Sequence, residues 1–229
     1  MDTIWKFQDW GLVEYGDAWD RQRELWNGVK DSKYSSDERK SKINYLVFCE
    51  HPHVYTLGKS GHDENLLIPE NFLNKIGAKY FHIDRGGDIT YHGPGQIVGY
   101  PIIDLEVFGL GVKSYIHSIE ETIIRFLDGY GIKSGRLEGA TGVWLDPETP
   151  RARKICAIGV KVSRWITMHG FAFNVNTDLN YFSYINPCGF QDKGVTSMSK
   201  ELGKPLDFEE VKKGLAEEFE KVFGHKLER

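Results

Sequence analysis

The stretch Arg85-Gly86-Gly87-Asp88-Ile89-Thr90-Tyr91-His92-Gly93-Pro94-Gly95-Gln96 sets four glycines and a proline among Arg, Asp, Tyr, His and Gln. Glycine weakens helix and strand alike, and Pro94 withdraws a backbone donor, so the run is expected to lie outside regular secondary structure. It is flanked by Tyr80-Phe81-His82-Ile83 and Ile97-Val98-Gly99-Tyr100-Pro101-Ile102-Ile103, both rich in strand formers. The expected arrangement is two strands with a glycine-lined wall between them, where a ligand can approach the backbone closely. Within that wall, Gly87 and Gly95 are the positions where an added methyl is expected to narrow a pocket. Taken alone, such a run is more often an ordinary glycine loop, so other segments must decide.

The rest of the chain frames the choice. With 229 residues it is long enough for one large α/β domain, expected to span 1–229, and short for two. A net charge of -4 gives no basic signal, which argues against nucleic acid as a partner. Local basic clusters (Arg39-Lys40 with Lys42, and Arg151 with Arg153-Lys154) read as solvated faces, though they could receive an acidic carrier protein. The first residues carry no apolar core behind basic ones, and no uncharged run approaches the roughly 20 residues that span a bilayer. Cys49, Cys156 and Cys188 form neither a disulfide nor a zinc pattern, so reduced thiols in a cytoplasm are expected.

Several elements follow from spacing. Ala18, Gln22, Leu25, Trp26 and Val29 predict a helix over Asp17–Lys30, with Asp17 accepting from its first N–H groups. Ile43–Cys49 and Val54–Leu57 read as strands, and Pro69–Ile76 as a short helix. Val112, Ile116, Ile119, Ile123, Phe126 and Leu127 make one stripe of a helix over 112–130, with Gly129 and Gly131 at its end. Gly142–Leu145 reads as a short strand. Lys154–Val162 and Thr167–Val175 predict a hairpin turning at Ser163-Arg164-Trp165. Val195–Leu202 reads as a short helix, and Asp207-Phe208-Glu209-Glu210 opens a last one reaching Phe223. Strands and helices mix without regular βαβ alternation, which gives a mixed α/β class.

Some of these residues carry possible chemistry. Cys188 lies in Pro187-Cys188-Gly189 within a polar loop, a poor place for a core cysteine. Cys49 ends an apolar strand and Cys156 lies inside one, so both read as small core hydrophobes. Lys154 begins a strand and, by strand period, shares a face with Cys156, Ile158, Val160 and Val162. An isolated lysine there is usually solvated. His51, His53, His82, His92 and His169 show no metal spacing, and hydrogen bonding or packing is the expected role, with His92 closest to the glycine wall. Gly58-Lys59-Ser60 lacks the first glycine of a phosphate loop, because His53 stands there. Gly93-Pro94-Gly95 lacks the third glycine of a dinucleotide motif.

Four segments in order complete the picture: His51-Pro52-His53-Val54-Tyr55-Thr56-Leu57-Gly58, the glycine run, Arg153-Lys154-Ile155-Cys156-Ala157-Ile158-Gly159-Val160-Lys161-Val162 leading into His169-Gly170-Phe171-Ala172-Phe173-Asn174-Val175, and Ile185-Asn186-Pro187-Cys188-Gly189. Together, over about residues 45–200, they resemble the octanoyl-[acyl-carrier-protein]–protein transferases of lipoate biosynthesis. The resemblance implies an α/β fold with a mostly antiparallel sheet and covering helices, shared with biotin- and lipoate-protein ligase catalytic domains. It implies Cys188 as nucleophile with Lys154 beside it. It also implies Arg85, Gly86, Gly87, Asp88, Ile89, Thr90, Tyr91, His92, Ala157, Ile158, Gly159, Gly170, Phe171 and Ala172 as substrate-contacting residues. The implied partners are octanoyl-acyl carrier protein and, as acceptors, lipoyl domains of 2-oxoacid dehydrogenase complexes and the glycine cleavage carrier protein. No cofactor, metal, nucleic acid or membrane is implied. Three rivals stay open: an ATP-dependent lipoate or biotin ligase, a thioester hydrolase with His92 or His169 as base, and a non-catalytic acyl-binding module.

Overall fold

A computed structural model describes residues 3–36, 42–186 and 193–229. Strand β1 (Thr3–Leu12) leads through helix α1 (Tyr15–Lys33) into β2 (Lys42–Glu50), which pairs with β1 in parallel. The strand β1 has no counterpart in the sequence reading. Its partner lies beyond a whole helix, and Lys6, Gln8 and Asp9 interrupt its apolar pattern. Helix α1 buries Tyr15, Ala18, Gln22 and Val29 and extends past both ends of the expected span. It starts after Glu14, so Asp17 sits in its first turn rather than capping it.

Strands β3 (Val54–Leu57), β4 (Lys79–His82) and β5 (Ile89–His92) form a small sheet in the order β4-β3-β5, with the short helix α2 (Glu70–Lys75) between β3 and β4. The strand β5 corrects the expectation for the glycine run: it is a regular strand, antiparallel to β3. Ile89, Thr90, Tyr91 and His92 are all tolerant of extended backbone, and the glycines and proline flank them rather than interrupt them. Averaging twelve residues hid four.

The main sheet continues with β6 (Gln96–Ile102), then, after helix α3 (Val112–Asp128), with β7 (Gly135–Leu137), β8 (Ala140–Leu145), β9 (Arg153–Ser163) and β10 (Ile166–Asn174). The short strand β11 (Gly194–Val195), helices α4 (Met198–Leu202) and α5 (Phe208–Phe223) and strand β12 (Leu227–Glu228) finish the chain. The order β12-β1-β2-β6-β10-β9-β8-β7, with β11 alongside β9, is mostly antiparallel. The expected hairpin is present as β9 and β10, with Arg164 and Trp165 at positive φ in its turn. The expected helix over 195–202 is shorter, because Gly194 and Val195 pair with β9 instead.

Helices α3 and α5 cover one face of the main sheet. Ile119, Ile123, Leu127, Leu215 and Phe219 pack there on Phe48, Ile97, Phe171 and Phe173 in the largest core. Burying each such side chain contributes about 1.5–3 kcal/mol. Asp207 caps α5 as expected, accepting from Glu209 and Glu210 N–H at 3.0 and 3.1 Å. The opposite face carries α1 over Val47, Cys49, Val98, Tyr100 and Ile102. Among the described residues no helix is long and apolar enough to cross a membrane.

Candidate active site

The segment Arg85–Asp88 joins the two sheets. Gly86 N–H donates to Val160 O of β9 at 2.9 Å, while Lys59 N–H donates to Arg85 O and Ser60 N–H to Gly87 O. The Arg85 guanidinium turns inward and donates to Thr56 O at 2.8 Å and Thr56 Oγ1 at 3.0 Å. This close approach depends on Gly159 of β9, where an added Cβ would lie 2.8 Å from Arg85 Cδ and 2.9 Å from Gly86 O. Between the segment and the sheet lies a cavity of ≈ 380 Å³, within the range of roughly 300–1,000 Å³ usual for small-molecule sites.

Most of the expected substrate residues line it: Arg85, Gly87, Asp88, Ile89, Thr90 and His92 on one side, and Ala157, Ile158, Gly159, Gly170, Phe171 and Ala172 on the other. Phe171 sends its ring into the main core, stacked on Phe219, so it gives the wall its backbone. Gly86 and Tyr91 are not in the lining. Strand alternation turns Tyr91 away, into the core of the small sheet, where its hydroxyl meets His53 Nδ1 at 2.7 Å. Gly95 is not in the wall either: its φ of +78° and the Asn176 backbone 2.7 Å from an added Cβ make it a turn residue.

Lys154 lines the cavity, with Nζ 4.7 Å from the centre of the Trp144 ring. The strand-period expectation for its face does not hold. Val143 of β8 pairs with Cys156 and Trp144 with Lys154, so Ile155 is an extra residue, a bulge. Ile155 and Cys156 both enter the main core, and Lys154 turns to the cavity side. Cys188 lies outside the described residues. Its neighbours in sequence are tied on both sides: Asn186 N–H donates to Asn65 O at 2.8 Å, and Gly194 and Val195 pair with Arg153 and Lys154. Lys193, Gly194 and Val195 line the cavity together with Lys154. Asn65 also donates through Nδ2 to both carboxylate oxygens of Asp88, at 2.9 and 2.7 Å.

Cys49 and Cys156 are buried as expected, and burial pushes both thiols far up from the usual cysteine range, in Cys156 against the opposing charge of Lys154. Neither is fit to be a thiolate at neutral pH. The histidines form hydrogen bonds. His51 Nδ1–H donates to Val13 O at 2.7 Å and its Nε2 accepts from Tyr100 OH at 2.7 Å; burial lowers its pKa to about 4. His92 Nδ1–H donates to Gln96 Oε1 at 2.9 Å, and burial followed by the nearby His51 keeps it neutral. His169 Nε2–H donates to Asp84 Oδ1 at 2.9 Å. That hydrogen bond, with Lys161 on the other oxygen, holds the Asp84 carboxyl well below the usual carboxylate range. Among the described residues, no three His, Cys, Asp or Glu gather to hold a metal.

Tyr15, Trp144 and Tyr100 line the cavity without having been expected there. The pairing of β8 with β9 brings Trp144 beside Lys154, and only the register of distant strands reveals that.

The mixed sheet with its covering helices has the fold of lipoate-protein ligases. The bi-partite lipoate protein ligase of Thermoplasma acidophilum, whose structure was analysed with its E2 lipoyl domain, superposes with a TM-score of 0.71 at 15% identity, over 99% of this chain and 86% of that one. The family model of the lipoyl protein ligase A/B catalytic domain matches residues 14–220. An octanoyltransferase of Parabacteroides distasonis is 60% identical over 95% of this chain and 98% of its own length. One of Bacteroides fragilis is 59% identical over 92% and 94%. The chain belongs to the lipoyl protein ligase A/B catalytic domain family, and within it is an acyltransferase.

Proposed function

We propose that the chain transfers octanoyl from the phosphopantetheine of acyl carrier protein to a lysine of a lipoyl domain, in a cytoplasm, through a thioester on Cys188. The Cys188 thiolate adds to the donor thioester carbonyl, and the pantetheine thiolate leaves and takes up a proton relayed by Lys154. The acceptor ε-amine then attacks the acyl-enzyme. An amide forms, the Cys188 thiolate departs, and the amine's proton passes to Lys154. The thioester supplies the driving force, so neither ATP nor another cofactor is required. A free thiol of pKa about 8.5 is only a few per cent ionised near pH 7, and a nearby ammonium raises that fraction.

The observation that supports this most is the open end of the cavity, where Lys154 pairs with Val195, a short way along the chain from Cys188. The burial of the other two thiols supports the choice of cysteine. The names of the relatives support octanoyl as the group moved, and the lipoyl domain studied with the Thermoplasma ligase supports that acceptor class.

Intact-mass spectrometry after mixing the protein with octanoyl-acyl carrier protein, without ATP, tests the reading. One octanoyl group on Cys188, moving to a lipoyl domain on its addition, is expected. A requirement for ATP would favour a ligase, and free octanoate in the presence of acceptor a hydrolase.

A further inference from the structure

Thr141, Gly139 and Gly194 are exposed at the end of the cavity where Lys154 lies, whereas Tyr15, His92 and Tyr100 are buried at the other. At the exposed end β8 has two unlike faces. Val143 and Leu145 enter the main core, and Trp144 between them lines the cavity. Gly142, on the same face as Trp144, lies under the Lys154 stem, for an added Cβ there would touch Lys154 Cε at 3.5 Å.

Trp144 is 2% exposed, and its Nε1–H donates to Ala140 O at 2.9 Å, which fixes the ring by its edge. Leu137, Ala140 and Ala152 pack with it in a cluster separate from the main core. Over the face of this pinned ring stands Lys154 Nζ, 4.7 Å from its centre. The β8–β9 register sets the two residues opposite each other, and Val195 pairs with Lys154 from the other side. Arg21 over Trp10, Arg23 over Trp19 and Lys30 over Trp26 use half-buried rings, whereas Trp144 is buried. Desolvation strengthens such a contact. A ring face attracts an ammonium and not a neutral amine, so it favours the protonated lysine. Unlike a carboxylate, it adds no charge to cancel the ammonium's field.

We propose that Trp144 is a positioning residue for the acyl transfer: its indole face holds the Lys154 ammonium at the cavity mouth, with its charge presented to the reacting sulfur. The inference rests on the acyl-transfer reading above.

The test follows alkylation of Cys188 by iodoacetamide across neutral and alkaline pH, and octanoyl transfer from acyl carrier protein to a lipoyl domain by kcat/KM. Both are measured in Trp144→Phe and Trp144→Leu, with and without Lys154→Met. Trp144→Leu keeps apolar bulk and loses the ring. It should slow both reactions at neutral pH by about 10-fold, the scale of a desolvated cation–π contact, and shift the alkylation profile towards higher pH. Trp144→Phe, which keeps a ring face, should stay within about 3-fold of wild type. Because the effect runs through Lys154, Trp144→Leu should add less than about 2-fold in the Lys154→Met background. An equal loss in both backgrounds would make Trp144 a packing residue or a substrate contact and overturn the proposal, as would Trp144→Phe no faster than Trp144→Leu. If Trp144→Leu fails to fold, fluorinated tryptophans at position 144 keep the ring's shape while draining charge from its face. Rates should then fall with each fluorine, and a flat series would overturn the proposal. No octanoyl transfer in wild type sinks the acyl-transfer reading, and the proposal with it. Lys154→Met slowing both reactions while Trp144→Leu does not sinks Trp144 alone.

Discussion

The two ends of the cavity are built on opposite plans. At the buried end, beside Tyr15 and Tyr100, His51 and His92 are locked by hydrogen bonds that fix their tautomers, and Gln96, which accepts from His92, donates in turn to Tyr91 O and to Asn174 Oδ1 on the Lys154 side. At the open end Lys154 rests over an aromatic face, and strands of two and three residues, β11 and β7, frame it. A cation–π contact holds an ammonium without fixing its donors in one geometry. A group that must hold shape against a ligand is served by burial and a complete set of bonds.

The largest effect expected from breaking this contrast is at the open end. Lys154→Met should slow acylation of Cys188 by ~10²-fold or more at neutral pH, the scale of general acid–base assistance. Part of that loss should return at alkaline pH, where the thiol ionises unaided. Superimposable pH profiles of Cys188 alkylation in wild type and variant would remove Lys154 from the role.

The glycines sharpen the boundary between site and scaffold. Gly159→Val pushes Arg85 and Gly86 away from the sheet, and should cost about 1–3 kcal/mol of stability together with activity. Gly95→Ala strains a turn outside the cavity. It should lower the urea midpoint while the folded fraction keeps its specific activity. Equal activity losses in the two would erase the distinction.

Acid should unsettle the buried end first. His51 titrates at about 4 in the folded protein, against about 6.5 in an unfolded chain. The unfolded state therefore takes the proton first. The stability His51 contributes is complete above about pH 6.5 and is lost as pH falls from there towards 4. Asp84, whose pKa is depressed, loses its contribution only below about 3.9, a separate window. Urea midpoints between pH 7.5 and 4.5 should fall in wild type and fall less in His51→Gln. Parallel slopes would show that His51 is not the group titrating.

Cys156→Ala should have the smallest effect, about 1–2 kcal/mol of stability with Cys188 acylation intact. Loss of acylation in a folded Cys156→Ala protein would mean that the wrong thiol has been assigned.

How far the sequence revealed all this depended on how local each determinant was. The stripe of α3, the cap of α5 and the β9–β10 hairpin are written in neighbouring residues, and they were legible. That Thr90, Gly159 and Gly170 line one cavity was carried by ordered motifs. The strand β1, the inward Tyr15 and the turning away of Tyr91 depend on pairings between distant strands, which no window of residues contains. The tautomer of His169 was equally hidden, because only the position of Asp84 fixes which ring nitrogen carries the proton.

The bulge at Ile155 has a consequence for how this family of sheets can vary. Lys154 faces the cavity because one unpaired residue shifts the phase of β9 relative to β8, so its placement is stored in a count of residues rather than in any side chain. Residues 146–152, which connect the two strands, can change in length without disturbing that count. Deleting Ile155 would leave Lys154 opposite Trp144 and Cys156 opposite Val143, whereas flattening the bulge with all three residues kept would set Lys154 opposite Leu145 and swing the ammonium onto the core side. An engineer retuning this enzyme is therefore free to rewrite the connector, but must keep Lys154 opposite Trp144.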